Sequence, residues 1–133
     1  MFAIAYFLLQ CYRFIAVHGI ETISPKTWIA YEQDTEPKGR PFYWLKDADM
    51  LPSVIKGARI WVFDYNSNYS HDAQRVRVDG LAATLLSCIM DRRGDFESRR
   101  IVFIGSCFGG IVVAEVRISK RWLFLHLLRS EHC

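Results

Sequence analysis

The chain has 133 residues, enough for a single domain. Apolar residues make up 51% of it and charged residues 23%, with four Trp, six Tyr and nine Phe, which excludes a disordered chain and supplies material for a core. The net charge of +3 is scattered, Arg92-Arg93 and Arg99-Arg100 being the tightest groups, so no nucleic-acid partner is expected.

Residues 1–9 are apolar but too few to span a bilayer. They lack a basic leader and a good small-residue cleavage site, so a strand or helix packed on a sheet is the expected role. Residues 13–18 read as a short buried strand ending at Gly19. Residues 21–41 hold most of the turn-formers and many charges, and predict a long surface loop. A short helix is expected over residues 47–55, interrupted near Pro52. Residues 58–65 are almost continuously apolar, as in a strand covered on both faces. After a polar turn at 66–70, a helix is predicted over 76–92 with Val78, Leu81, Leu85, Cys88 and Ile89 on one face. Cys88 is thereby expected to be a small buried hydrophobe. A third strand over 100–104 and a helix over 109–118 follow. Strands alternating with helices predict an α/β fold with a mostly parallel sheet and flanking helices.

The cysteines, Cys11, Cys88, Cys107 and Cys133, show no C-x-x-C spacing and no paired histidine. No metal site and no cofactor are expected from them. Such scattered thiols suit an intracellular, cytoplasmic protein better than a disulfide framework. The apolar ends leave association with a membrane surface as the alternative.

The densest signal is Ile101-Val102-Phe103-Ile104-Gly105-Ser106-Cys107-Phe108-Gly109-Gly110. An apolar run enters a small-x-nucleophile-x-small turn, and a helix-compatible run leaves it. That is the grammar of a nucleophile elbow, in which a sharp strand-to-helix turn thrusts one side chain out above the sheet. Gly105 and Gly109 flank the turn where a Cβ would collide. The central position of the G-x-S-x-G spacing is Cys107.

With this elbow stand Val17-His18-Gly19-Ile20, Thr27-Trp28, Trp44-Leu45-Lys46-Asp47 with Leu51-Pro52, and Ala58-Arg59-Ile60 leading to Tyr65. In that order, over roughly residues 13 to 116, the chain resembles the α/β-hydrolase superfamily. More narrowly it resembles the lipase-like serine esterase domains at the front of many fungal multidomain proteins. The resemblance implies a partial α/β-hydrolase fold without its C-terminal strands, acting on small-molecule or lipid esters without a cofactor. It departs from the family in having cysteine where serine is usual. The same G-x-C-x-G-G form resembles the elbow of dienelactone hydrolases, where cysteine is the nucleophile. It departs again after Glu115, where residues 119–133 carry no acid loop or histidine loop of the family kind. The expected division is a truncated hydrolase-like domain over 1–118 and an apolar, basic tail over 119–133, with further segments needed to complete the fold.

Acyl transfer needs a nucleophile, a base, an orienter and oxyanion donors. The resemblance assigns the nucleophile to Cys107, the oxyanion donors to the backbone N–H groups of Phe108 and Ile20, and support of the oxyanion loop to His18 and Gly19. Asp64 and Asp79 are the acids nearest the expected top of the sheet, with a helix cap or a loop salt bridge as their ordinary role. No base is assigned. The alternative to an ester hydrolase is a catalytically inactive remnant or interaction module built on the same half-fold.

Overall fold

The structure, a computed structural model, describes residues 12–33, 38–68, 77–93, 100–119 and 122–123. Expectations for residues 1–9, for Cys11 and Cys133, and for most of the tail lie outside these. Among the described residues nine elements follow one another: β1 (Tyr12–Val17), α1 (Ser24–Thr27), β2 (Ile29–Tyr31), β3 (Pro41–Tyr43), α2 (Leu51–Val54), β4 (Arg59–Phe63), α3 (Val78–Arg93), β5 (Arg100–Gly105) and α4 (Phe108–Ile118). The fold is mixed α/β, with a three-stranded parallel sheet in the order β4-β1-β5.

The central strand decides this arrangement. Ile15, Ala16 and Val17 are all buried, so both faces of β1 are covered and the strand reads as a continuous apolar run. Its register places Ile15 beside Trp61 and Phe103, and Ala16 beside Val62 and Ile104. On the first face, Ile15, Val17 and Phe63 pack under Ala82, Leu85, Leu86 and Ile89 of α3 and Val112 and Val116 of α4. Trp122 joins this core, its ring 5.5 Å from that of Phe103. Arg13 is buried on the same face, its guanidinium 3.5 Å from the centre of the Trp61 ring, a cation–π stack.

The second face carries Ala16, Ile60 and Ile104 beneath Trp28, Leu45, Trp44 and Leu51. Here the expected surface loop is corrected. The stretch contains α1 and the strand β2, which pairs antiparallel with β3. Trp28 is the reason. At 2% exposure it anchors the segment on the sheet, edge-on to Trp44, and burial of that one indole outweighs the turn-forming composition around it.

The face of α3 is also corrected. Its buried stripe is Ala82, Leu85, Leu86 and Ile89, spaced i, i+3, i+4, i+7. Cys88 sits one residue off that stripe and is exposed. Each fully buried Leu or Ile contributes roughly 1.5–3 kcal/mol, so the helix settles on the face with most of them. No helix among the described residues is long and apolar enough to cross a membrane.

Candidate functional site

The strand order locates a site before any side chain is considered. The chain leaving β1 packs on the second face, through Trp28 and Leu45, whereas the helix leaving β5 packs on the first, through Val112 and Val116. Neighbouring parallel strands whose connections depart to opposite faces open a crevice at their carboxyl ends, the usual binding place of such sheets. His18-Gly19 ends β1 and Ser106-Cys107 ends β5.

Cys107 stands in a tight turn between β5 and α4, with φ 52° and ψ −124°. This is a positive φ on a residue that has a Cβ, and such backbone costs about 1–3 kcal/mol unless its surroundings impose it. The surroundings do. Ser106 N–H donates to Val17 O at 2.9 Å, tying the turn to the neighbouring strand. A Cβ on Gly105 would lie 2.6 Å from Gly110 Cα, and one on Gly109 would lie 2.2 Å from Val17 O. Only glycine lets the helix start so close to both strands. Cys107 itself is exposed and not in a disulfide.

The loop after β1 closes on the same residue. A Cβ on Gly19 would lie 2.9 Å from Cys107 Cβ and 3.6 Å from its Sγ. The structure thus brings the Gly19 backbone, next to His18, against Cys107, with Ile20 next in the loop and exposed. Phe108 opens α4. The N–H groups of Gly109 and Gly110 are spent on the carbonyls of Ser106 and Cys107, at 2.9 and 3.0 Å. Among the described residues no backbone carbonyl takes the Phe108 N–H, the first of the helix after Cys107.

His18 is fully buried. Nδ1 is 2.9 Å from Gly19 O, and since a carbonyl only accepts, Nδ1 carries a proton. Nε2 faces two groups, the Tyr65 N–H at 3.2 Å and Asp64 Oδ1 at 2.9 Å. The ring can satisfy Gly19 and one of these two at a time. Both nitrogens are therefore engaged away from the sulfur, as befits a structural histidine. Asp79, the other acid singled out, lies at the start of α3 in an exposed ion pair with Arg77.

Tyr65 was not among the candidate site residues. Its ring stacks on His18 at 4.3 Å and 10°, and its hydroxyl donates to His18 O at 2.8 Å. Burial raises the Tyr65 hydroxyl above its ordinary value, and the negative charge available to Cys107 raises it further. Ser67 completes the clamp. Its hydroxyl donates to Thr22 O, and its own carbonyl accepts from Glu21 N–H at 2.9 Å. Glu21 is the other non-glycine residue with positive φ among those described. The loop carrying Gly19 and Ile20 is thus bolted to the segment after β4. The strand expected over residues 58–65 takes in Asp64 and Tyr65, whereas β4 ends at Phe63, so no sequence signal marks this clamp. From Tyr65 a cleft of about 450 Å³ runs between β4 and α3, lined by Trp61, Phe63, Leu81 and Leu85.

No family model, no curated protein and no solved structure matches this chain.

Proposed function

We propose that this chain is an α/β-hydrolase-type domain of the lipase-like esterase kind, in which Cys107 is the nucleophile for acyl transfer from an ester or thioester. The observation that carries the reading is the conformation of Cys107: a strained, non-glycine turn residue, exposed at a strand-to-helix junction, against a glycine of the neighbouring loop. That arrangement is what a nucleophile elbow requires. In the step, Sγ bonds to the acyl carbon and the alcohol or thiol leaves with the proton that Cys107 gave up. Water then cleaves the enzyme thioester. The Phe108 and Ile20 N–H groups would receive the developing oxyanion, a contribution of about 3 kcal/mol for each well-placed donor. The ester, of a small molecule or a lipid, would approach through the crevice at the ends of β1 and β5, since the cleft between β4 and α3 is lined by none of Cys107, Phe108, Gly19 and Ile20.

A second reading, a non-catalytic module on the same half-fold, is favoured by one observation. His18, the histidine among the described residues, has both nitrogens committed and cannot serve as base. Loss of the base from such a constellation costs orders of magnitude in rate. A thiol-directed acyl probe with a Cys107→Ala control separates the two. Rapid labelling that vanishes in the variant supports the nucleophile, and labelling at the rate of free thiol supports the module. Association with a membrane surface stays a lesser proposal, answered by flotation with lipid vesicles.

A further inference from the structure

We infer that the cleft between β4 and α3 is a binding site of its own, separate from the crevice at Cys107, and that it takes a medium-chain alkyl carboxylate with the anionic end at Arg92. The inference does not rest on the acyl-transfer reading. The path of the chain sets the direction of the cleft. β4 and β5 both run parallel to β1, so the connection from the end of β4 to the start of β5 returns from the carboxyl edge of the sheet to its amino edge, and α3 makes that return. Leu81, in the first turn of α3, therefore lies at the Tyr65 end of the cleft, and Arg92, in the last turn, at the opposite end. Leu81, Leu85, Ile89 and Arg92 follow one another at steps of four, four and three, one face of a helix, so the cleft extends along α3 for about 16 Å.

The walls and ends of the cleft select its occupant. Trp61, Phe63 and Tyr65 stand across from the α3 residues. Between the ends there is little to bond a polar molecule, because the Thr84 hydroxyl is spent on Gly80 O at 3.0 Å and the Tyr65 hydroxyl on His18 O at 2.8 Å. The volume of about 450 Å³ lies within the range of small-molecule sites. Charge sits at the two ends. Asp64, just past the end of β4, has its carboxylate 2.9 Å from His18 Nε2 already. Arg92 has no ion pair among the described residues, and a guanidinium presents a fork of donors that matches a carboxylate. An apolar chain lying along the cleft is thus repelled by Asp64 with its anion at that end and attracted by Arg92 with its anion at the other. That contrast fixes both the class of the ligand and its orientation.

Cys88 reports on this cleft directly. It lies on α3 one residue off the buried stripe, lines the cleft and is exposed. The test uses the full 133-residue chain, decanoate below its micelle-forming concentration as the probe, and brief alkylation by iodoacetamide read at each cysteine by mass spectrometry. Decanoate is expected to slow alkylation of Cys88 severalfold. Arg92→Gln, at an exposed position, is expected to raise the decanoate concentration for half-protection about tenfold, the loss that follows removal of one charge-assisted bond. Decanol, which lacks the charge, should protect Cys88 equally in the two proteins. Cys107 is the internal reference, and its response to decanoate should be the same in both. Cys88 alkylated no more slowly with decanoate than without it would overturn the inference. So would half-protection at an unchanged concentration in Arg92→Gln, which would remove the anionic end from the cation. A matching shift at Cys107 would overturn it too, since the variant would then act on the whole chain. Because Cys88 reads the cleft and Cys107 the crevice, either site can fail without the other.

Discussion

At the scale of single residues, neighbouring glycines of the elbow carry opposite expectations. Gly109→Ala drives a Cβ into the carbonyl oxygens of Val17 and His18, which are backbone and cannot step aside. It should cost at least the ~1–3 kcal/mol typical of overpacking. Gly110, one residue on, has open space where its Cβ would be. Gly110→Ala should be neutral or stabilise by up to about 0.5–1 kcal/mol, as expected for an exposed helical glycine. Denaturant midpoints of the two variants check this. Cys107 offers a sharper contrast. Gly adopts positive φ freely, so Cys107→Gly should be more stable than Cys107→Ala by about 1 kcal/mol or more. Equal stabilities would mean the turn stores no strain.

Tyr65 gives a pH dependence at the same scale. Its folded-state value is raised, first by burial and then by Cys107, so the folded chain favours the neutral hydroxyl. The resulting stability is complete below the ordinary tyrosine value near 10.0 and is lost as pH rises beyond it through the folded value. Tyr65→Phe should lose about 1 kcal/mol at neutral pH with the bond to His18 O, and its stability should fall less steeply in alkali. Parallel curves for the two proteins would contradict this.

Among the elements, those that repeat a single period were legible in the sequence. The three sheet strands and the helices α3 and α4 appear within a few residues of their expected spans, because an apolar run between charged turns has few alternatives. The elbow was legible for a different reason, since Gly105 and Gly109 are there to avoid backbone atoms and little else could take their place. What stayed hidden depends on tertiary contact. The hairpin β2–β3 is three residues a side and has no periodicity to read. Its place is set by Trp28 and Leu45 against Ala16, a contact between segments far apart in sequence. The role of Tyr65 was hidden likewise, because it follows from stacking on a residue 47 positions away. Trp28 tests the second layer. Trp28→Ala should cost about 3–5 kcal/mol, as for other buried aromatics. Trp28→Phe should cost far less, because among the described residues nothing accepts a hydrogen bond from the buried indole Nε1 and its loss removes that penalty. If chemical denaturation finds the two variants equally damaged, the packing of the second face is misjudged.

At the scale of the whole molecule, β4 and β5 are the outer strands of the sheet, and among the described residues each pairs with β1 alone. Val62 on the outer strand β4 is exposed, and so are Ile111 and Ile118 on α4, the helix beside the other outer strand, β5. Unpaired edges flanked by apolar side chains invite strand addition, so the isolated chain should self-associate as its concentration rises. Sedimentation showing a monodisperse, cooperatively unfolding monomer would refute that. The same frame gives the site its rigidity, because the turn after β5, the loop after β1 and the segment after β4 are bonded to one another across all three strands. Two exposed free thiols on this frame supply an internal comparison, Cys107 in the strained turn and Cys88 on the outside of α3. Site-resolved mass spectrometry after brief exposure to an activated thioester should find Cys107 acylated at least about tenfold faster than Cys88, since only the former stands at the N-terminal opening of a helix. Equal rates at the two cysteines would show that the turn has the shape of a nucleophile elbow without its reactivity.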